Sequence, residues 1–379
     1  MDRLNQLRAF AQQDPGNDRL LLDFLDELLA AGQLDEAADV ASRVSASTGS
    51  SEPVALRSAR LALQTGRFRE ANFLLAGLLA GGLDTPAVRH DLSFARLCMG
   101  ELDAAEATLA PMIPQSVTVP AIGLLHARLL QHRRQFDDAM LIVQAVLAEN
   151  ASMAEAWGLL AMLHLDLAQA DQARAAAERA LSLQTGQSDA LTVLGTLHLW
   201  SHDASAAYQA FSAILSTQPA AGRALAGAGE ALMLRGDIGS ARAFLDRAVK
   251  FMPQHLGTWH ALAWCDLLEG DIASAAASFD QAMALDRNFG ETHGGLAVIS
   301  ALNGRTEDAR SQIKVAMRLD PSGRNARYAQ SLLWQTEGRE QDAAALVEGI
   351  LAEAGVNAQG GGAVFIGRLR DQLRKASVN

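Results

Sequence analysis

Residues 188–221 read SDALTVLGTLHLWSHDASAAYQAFSAILSTQPAA, and the alanine at position 207 in this stretch belongs to a column that runs through most of the chain. Ala71 follows Ala37 at an interval that then recurs, because each later alanine of the column follows the one before it at the same spacing. No insertion interrupts this period between residues 18 and 357. Self-similarity at a constant period is the signature of a repeat array, in which each unit contacts only its neighbours. The sequence therefore predicts ten repeats. Their alanines are Ala37, Ala71, Ala105, Ala139, Ala173, Ala207, Ala241, Ala275, Ala309 and Ala343.

Each repeat carries the pattern of two helices joined by a tight turn. Glycine ends a helix at little cost because it adopts the left-handed conformation, and seven repeats have it at one turn position. These glycines are Gly32, Gly66, Gly100, Gly236, Gly270, Gly304 and Gly338. A second column of small residues, including Ala161, Gly195 and Gly229, runs through the first helices. Two such columns predict close approach of the paired helices.

Composition narrows the class of protein. A hydrophobic share of 49% suits a continuous core, and a net charge of −11 argues against a nucleic-acid partner. Cys98 and Cys265 lie five repeats apart, too far for a disulfide. The first residues lack an apolar segment, and no run of about 18 apolar residues occurs. We therefore expect a cytoplasmic protein without direct membrane insertion.

The repeats carry a further set of residues at fixed spacing. One repeat has Leu191, Leu194, Gly195, His198, Ala207, Phe211 and Pro219. This spacing resembles the tetratricopeptide repeat, a 34-residue helix–turn–helix with W-x2-L-G-x2-Y, then A-x3-F, then P. Repeats beginning near residues 154, 188, 222, 256 and 290 match best, and the first four and the tenth are degenerate. The resemblance implies an all-α fold, a right-handed α-solenoid (superhelix).

The period also predicts the domain organisation. Residues 1–17 are expected to form an N-terminal capping half-repeat, and residues 18–357 ten tetratricopeptide-like repeats. Residues 358–379 are expected to form a glycine linker and a C-terminal capping helix, with a partner-binding or membrane-surface helix as the alternative. Three prolines, Pro111, Pro114 and Pro120, predict that the second helix of repeat 3 stops early.

The array leaves little room for a catalytic site. No nucleophile and base can be paired, because residues one repeat apart occupy equivalent core positions. His198 and His202 are four residues apart, but His202 falls at the turn position that other repeats give to glycine. A packed histidine is therefore favoured over a metal ligand. We expect no enzyme activity, no catalytic residue, no metal and no cofactor.

The family resemblance implies a binding groove lined by positions 2, 5, 9, 12 and 13 of successive first helices. Those offsets share one helical face. The candidate partner-binding residues of this concave groove are Arg60, Phe94, Arg128, Met162, Thr196, Trp200, Glu230, Trp264 and Val298. Burial is the alternative for Met162 and Trp264, because aliphatic and aromatic residues at helical spacing are commonly core.

Three functions fit these features. The first is a non-enzymatic adaptor or scaffold that holds a peptide or helix of a partner protein in the groove. The second is a cytoplasmic assembly chaperone or pilot for a secretion or cell-envelope complex. The third is a structural homo-oligomer built by stacking of the exposed ends. The sequence names neither the partner nor the pathway.

Overall fold

The computed structural model of the chain describes residues 3–49, 51–116 and 118–353, and these ranges contain helices and no strand. A 3₁₀ helix spans Ala110–Gln115. The α-helices are α1 Arg3–Gln13, α2 Asp18–Ala30, α3 Leu34–Thr48, α4 Glu52–Gln64, α5 Phe68–Ala80, α6 Pro86–Cys98, α7 Leu102–Leu109, α8 Pro120–His132, α9 Phe136–Glu149, α10 Ala154–Asp166, α11 Ala170–Leu183, α12 Ser188–Trp200, α13 Ala204–Leu215, α14 Gly222–Leu234, α15 Ile238–Phe251, α16 Leu256–Glu269, α17 Ile272–Leu285, α18 Gly290–Leu302, α19 Thr306–Leu319, α20 Arg324–Thr336 and α21 Glu340–Glu353.

The helices follow the repeat period of the sequence. The first helices of the repeats are the even-numbered ones, and each begins one full period after the last, from Asp18 to Arg324. The second helices keep the same spacing from Leu34 to Glu340. The predicted all-α, helical-repeat solenoid class is therefore confirmed. The right-handed sense of the superhelix and the domain boundaries stay predictions.

The chain divides into two compact units, residues 1–224 and residues 225–379. In the first unit, four clusters of buried side chains succeed one another along the helices. In the second unit, one cluster runs from Ala263 to Val347. Each cluster is made by consecutive repeats, as expected when a repeat buries its apolar face on its neighbours. The predicted capping helix within 358–379 lies outside the described residues.

The alanine column lies at the closest approach of the paired helices. All ten of its members are 0% exposed. The facing column of small residues is equally confined, since a Cβ added to Gly195 would lie 2.7 Å from Phe211 Cζ. Real side-chain atoms do not approach so closely, so glycine makes room for the phenylalanine ring. The predicted close packing of the helix pairs is confirmed.

The turn between the helices keeps one conformation in every repeat. The seven turn glycines have φ between 68° and 86°. The three repeats without glycine have Arg134, Ala168 and His202 there, with φ of 62°, 57° and 58°. Left-handed backbone is unfavourable for residues with a Cβ. Packing of the two helices therefore imposes this conformation even where the local sequence disfavours it.

The proline-rich end of repeat 3 departs from the other repeats. Helix α7 has 8 residues, whereas α9 and α11 have 14 each. The chain then continues as the 3₁₀ helix, which contains Pro111 and Pro114. Proline lacks the backbone donor that an α-helix needs, so the helix ends. The predicted early stop is confirmed.

The tight packing predicts the effect of adding one methyl group. A Cβ at Gly295 would lie 2.4 Å from Phe279 Cε1, and the Phe279 ring is fully buried with His260 stacked edge-on at 5.3 Å. We expect Gly295→Ala to lower the free energy of unfolding by about 1–2 kcal/mol, because overpacking exceeds the gain in helix propensity. Urea denaturation measures this change.

The matched control is Gly349→Ala, which is also inside a helix of the second unit. No atom lies within 4 Å of a Cβ built on Gly349. This variant should gain about 0.5–1 kcal/mol, because alanine is the better helix former. Equal shifts in the two variants would contradict the close contact at Gly295.

Candidate partner-binding groove

An open cavity of about 600 Å³ lies among three first helices of the unit formed by residues 1–224. Helices α4 and α6 form its walls, and the segment that leads into α8 closes one side. We call this cavity the α4–α8 groove. It is lined by Arg60, Leu63, Gln64, Pro86, Ala87, His90, Asp91, Phe94, Val119, Ala121 and Ile122.

The lining residues occupy positions that the family resemblance assigns to a binding groove. Ala87, His90 and Phe94 hold positions 2, 5 and 9 of repeat 3. Their spacing of three and four residues places them on one face of α6. Arg60 and Leu63 hold positions 9 and 12 of repeat 2. Among the residues selected from the sequence, Arg60 and Phe94 therefore lie together in one cavity.

Phe94 is the largest apolar side chain of the groove. It is half-buried, and its ring meets the ring of Phe68 edge to face, with centroids 6.4 Å apart. Phe68 is the first residue of α5, so the second helix of repeat 2 supports the groove from behind. Such a contact holds the Phe94 ring in one orientation and leaves its other surface to a ligand.

Polar side chains line one side of the groove. The Asp91 carboxylate contacts His90 Nδ1 at 2.9 Å and lies 3.8 Å from Arg60 Nε. The Arg60 side chain is exposed, whereas His90 and Asp91 are largely covered. Beside the groove, Arg57 donates to Asp26 at 2.6 Å and joins α4 to α2. The cationic and anionic groups offset one another, and the groove as a whole is apolar with a hydrogen-bonding edge.

Arg128 is placed differently from Arg60. Its guanidinium binds the carboxylate of Asp189 at the start of α12. Burial alone would raise the pKa of Asp189, but the charge and hydrogen bond of Arg128 outweigh it and lower that pKa. Both side chains are therefore charged, and Arg128 is engaged within the chain.

Two of the sequence-selected residues are core residues. Met162 is 4% exposed and Val298 is 0% exposed. Each packs in a hydrophobic cluster of its own unit. For Met162 the structure shows the burial that was considered as the alternative, and Val298 is buried as well. Helices α8 and α12 contact α10, and α20 contacts α18, and helical periodicity cannot reveal such neighbours.

Trp264 is intermediate between an exposed groove residue and a core residue. It is half-buried, packs against the core of the second unit and contacts the ring of Tyr328, with centroids 5.7 Å apart. Trp264 is on α16 and Tyr328 on α20, whereas the buried Val298 is on α18. The two aromatic rings are therefore in contact although α18 is the first helix between them in chain order. Trp264 is thus mainly a packing residue.

The remaining sequence-selected residues lie outside the α4–α8 groove. Thr196 is half-buried and donates its hydroxyl to Thr192 O at 2.8 Å. Trp200 is 54% exposed at the end of α12. Glu230 is on α14, and its side chain keeps contact with solvent. The protein around the Glu230 carboxyl nevertheless raises its pKa by desolvation.

Most of the groove's polar lining was missed by the sequence selection. His90 and Asp91 are the main examples, with Gln64 beside them. Their signal was present, because His90 holds position 5 and Gln64 holds position 13 of their repeats. The selection took position 9 of the repeats and position 13 only at Trp200, so it passed over them. All groove positions of consecutive repeats must be combined to find this cavity.

The described residues also include histidines, cysteines and carboxylates outside the groove. No group of three or more His, Cys, Asp or Glu residues there is arranged to hold a metal ion. None of the described helices has the length and apolar character needed to cross a membrane. Cys98 and Cys265 are free thiols, and burial raises the pKa of each to about 12.

Comparison with known families decides the identity of the repeats. Two family models described as tetratricopeptide repeat match the chain, one at residues 154–186 and the other at residues 199–265 and 266–333. The chain belongs to the tetratricopeptide-repeat family. These matches cover the repeats in which the sequence pattern is strongest. Tetratricopeptide repeats commonly build scaffolds that bind proteins or peptides.

Several solved structures are similar to this tetratricopeptide-repeat protein. The human IFIT1 dimer with m7Gppp-AAAA has 13% identity and a TM-score of 0.52, over 93% of this chain and 96% of that one. YrrB, a tetratricopeptide-repeat protein with an unusual peptide-binding site, has 20% identity and a TM-score of 0.39, over 50% of this chain and 97% of that one.

PilW, a widely conserved type IV pilus biogenesis factor, is also similar. It has 18% identity and a TM-score of 0.46, over 54% of this chain and 96% of that one. No curated protein sequence matches the chain. Likeness at these identities concerns the fold and not the ligand.

Proposed function

We propose that this tetratricopeptide-repeat protein is a non-enzymatic adaptor of the cytoplasm that holds a peptide or helix of a partner protein in its concave groove. The α4–α8 groove is the observation that carries the proposal. It is an open, largely apolar cavity on the first helices, and it includes two of the residues selected from the sequence.

The lining suggests what the occupant looks like. Phe94, Leu63 and Val119 offer apolar contacts, so the bound segment carries a bulky apolar side chain. The exposed Arg60 and the Gln64 amide offer hydrogen bonds at the edge. A few buried anchors carry most of the energy of such interfaces, and the polar rim fixes the register.

Blocking the groove tests the proposal. Ala87 is exposed and lines the cavity. We expect Ala87→Glu to weaken binding at least about 30-fold, the equivalent of about 2 kcal/mol, by placing a charge on the apolar floor. Peptides selected on the wild-type protein by display are the probes, and fluorescence anisotropy measures their Kd. Folding should be unchanged, because no core contact is removed.

The matched control is Ala107→Glu. Ala107 is an exposed alanine of α7, a second helix, and it does not line the groove. The substitution makes the same change in charge and size. Selected peptides should bind this variant as tightly as the wild type. If the selected peptides bind Ala87→Glu with wild-type affinity, the α4–α8 groove is not their binding site.

An assembly chaperone or pilot for a secretion or envelope complex is the second candidate. The apolar floor of the groove favours it, because an aggregation-prone segment of a client fits the same surface. Aggregation of the bound protein in the absence of this chain would support the chaperone over the adaptor. The exposed Phe10 of α1 supports self-assembly as a third candidate. Light scattering that gives a concentration-dependent mass would favour that outcome.

A further inference from the structure

One ion pair in the unit formed by residues 1–224 passes over a repeat. Arg128 is on α8, in repeat 4, and Asp189 begins α12, in repeat 6. The two residues are 61 positions apart, with Arg128 Nη1 at 3.4 Å from Asp189 Oδ1 and Nη2 bonded to Oδ2. The pair Arg57–Asp26, by contrast, joins adjacent first helices at 2.6 Å.

The Asp189 end of this bridge is held in place. The Gln187 side chain accepts from Ala190 N at 2.6 Å and lies 3.4 Å from Asp189 Oδ2 through its Nε2. The charge of Arg223 also favours the ionised form of Asp189. On the Arg128 side, Gln131 of the same helix donates to Asp166 at the end of α10 at 2.5 Å. Polar contacts therefore join α8 to both α10 and α12.

Helix α10 lies between the two ends of the bridge in chain order and carries Met162. Met162 is the equivalent of Arg128 in the next repeat. It is 4% exposed. The equivalent residues of the α4–α8 groove, Arg60 and Phe94, are exposed and half-buried. Position 9 is thus closed in repeat 5 and open in repeats 2 and 3.

We propose that Arg128 and Asp189 form a latch that closes the face of α10 and keeps Met162 covered. Release of the latch uncovers a second apolar surface, made of Met162 and the half-buried Leu165 on the same helix. The inference goes beyond the proposed function, because it concerns a surface that is closed in the structure and is separate from the α4–α8 groove.

The accessibility of Met162 to peroxide tests the latch. Oxidation of a methionine thioether by hydrogen peroxide transfers one oxygen to sulfur and leaves water, and its rate depends on exposure. Mass spectrometry resolves the rate at each methionine. We expect Arg128→Ala and Asp189→Ala each to oxidise Met162 at least tenfold faster than the wild type. Met317, which is 40% exposed, should oxidise at one rate in all proteins.

Two further variants separate the latch from a general loss of structure. Arg57→Ala removes an ion pair between adjacent first helices and should leave the Met162 rate unchanged. The exchange Arg128→Asp with Asp189→Arg should bring the Met162 rate back to within threefold of wild type. Met162 rates within twofold of wild type in both single variants would overturn the proposal.

Salt gives the same test on the unmodified protein. The two side chains are 31% and 17% exposed, so ions reach the pair. Screening at 1 M NaCl, where the Debye length is about 3 Å, weakens such a contact. Oxidation of Met162 relative to Met317 should rise severalfold between 0.05 and about 1 M NaCl. A constant ratio would also overturn the latch, and this arm does not depend on a variant that folds.

Discussion

Replacing Trp264 by alanine is expected to lower the free energy of unfolding by about 3 kcal/mol, near the lower end of the range for loss of a large aromatic side chain from a core. The indole packs against the core of the second unit and against the Tyr328 ring. Its removal leaves a cavity beside this core. Urea denaturation followed by circular dichroism measures the loss.

Trp200→Ala is the matched control for this prediction. Trp200 is 54% exposed, so its truncation should change the free energy of unfolding by less than about 0.5 kcal/mol. An unfolding midpoint for Trp264→Ala that equals the wild-type midpoint would show that Trp264 is not a packing residue. In that case Trp264 would again be a candidate for direct contact with a partner.

The second large effect concerns a buried carboxyl group. Asp266 on α16 is 2% exposed, and Arg242 Nε lies 3.1 Å from its Oδ1, which receives no hydrogen bond. Arg242 also pairs with Glu269 at 3.0 Å and with Asp271 at 3.6 Å. One arginine is shared among several carboxylates. Burial therefore raises the pKa of Asp266 to about 6, and Arg242 offsets this only in part.

The raised pKa makes the ionised form of Asp266 costly in the folded protein. The folded state holds the proton up to a pH of about 6, whereas the unfolded chain releases it near 3.8. The contribution of Asp266 to stability thus falls as pH rises between these values, by roughly 3 kcal/mol in all. We expect Asp266→Asn, compared with the wild type, to gain about this amount in stability between pH 4 and pH 7.5.

Two other groups of the second unit also have shifted pKa values. Burial lowers the pKa of His260 to about 4, so His260 contributes stability that is lost as pH falls, opposite in sign to Asp266. His260 is present in both proteins, so its contribution cancels when the free energy of unfolding of the wild type is subtracted from that of Asp266→Asn. Glu230→Gln is the control for the other carboxyl of this unit with a raised pKa. A difference between Asp266→Asn and wild type that is constant with pH would contradict the prediction.

The fold was predictable because every repeat needs a small residue at the same position, which gives the sequence a constant period. Helices must approach closely at one point in every repeat, and only a small residue fits there, as Ala207 against its neighbours illustrates. The turn followed the same logic at His202, where position in the register outweighed the absence of glycine. Three prolines were enough to predict the end of α7.

The site was harder to predict because its residues are defined by neighbours outside the local pattern. Arg60 and Phe94 both line the α4–α8 groove, whereas Met162, the repeat equivalent of Phe94, is buried. What differs is which side chains of other helices lie against each position, and a constant period treats equivalent positions alike. The burial of Val298 was not predictable for the same reason.

Because every alanine of the column is fully enclosed, the chain can change its length only in particular steps. Loss of one residue inside a helix would move a larger side chain into a space that accepts a methyl group. Loss or duplication of one full period would keep the next alanine at the contact between the paired helices and preserve their packing. We therefore expect relatives of this protein to differ by whole repeats, and shortened variants to be designed by removing a complete helix pair.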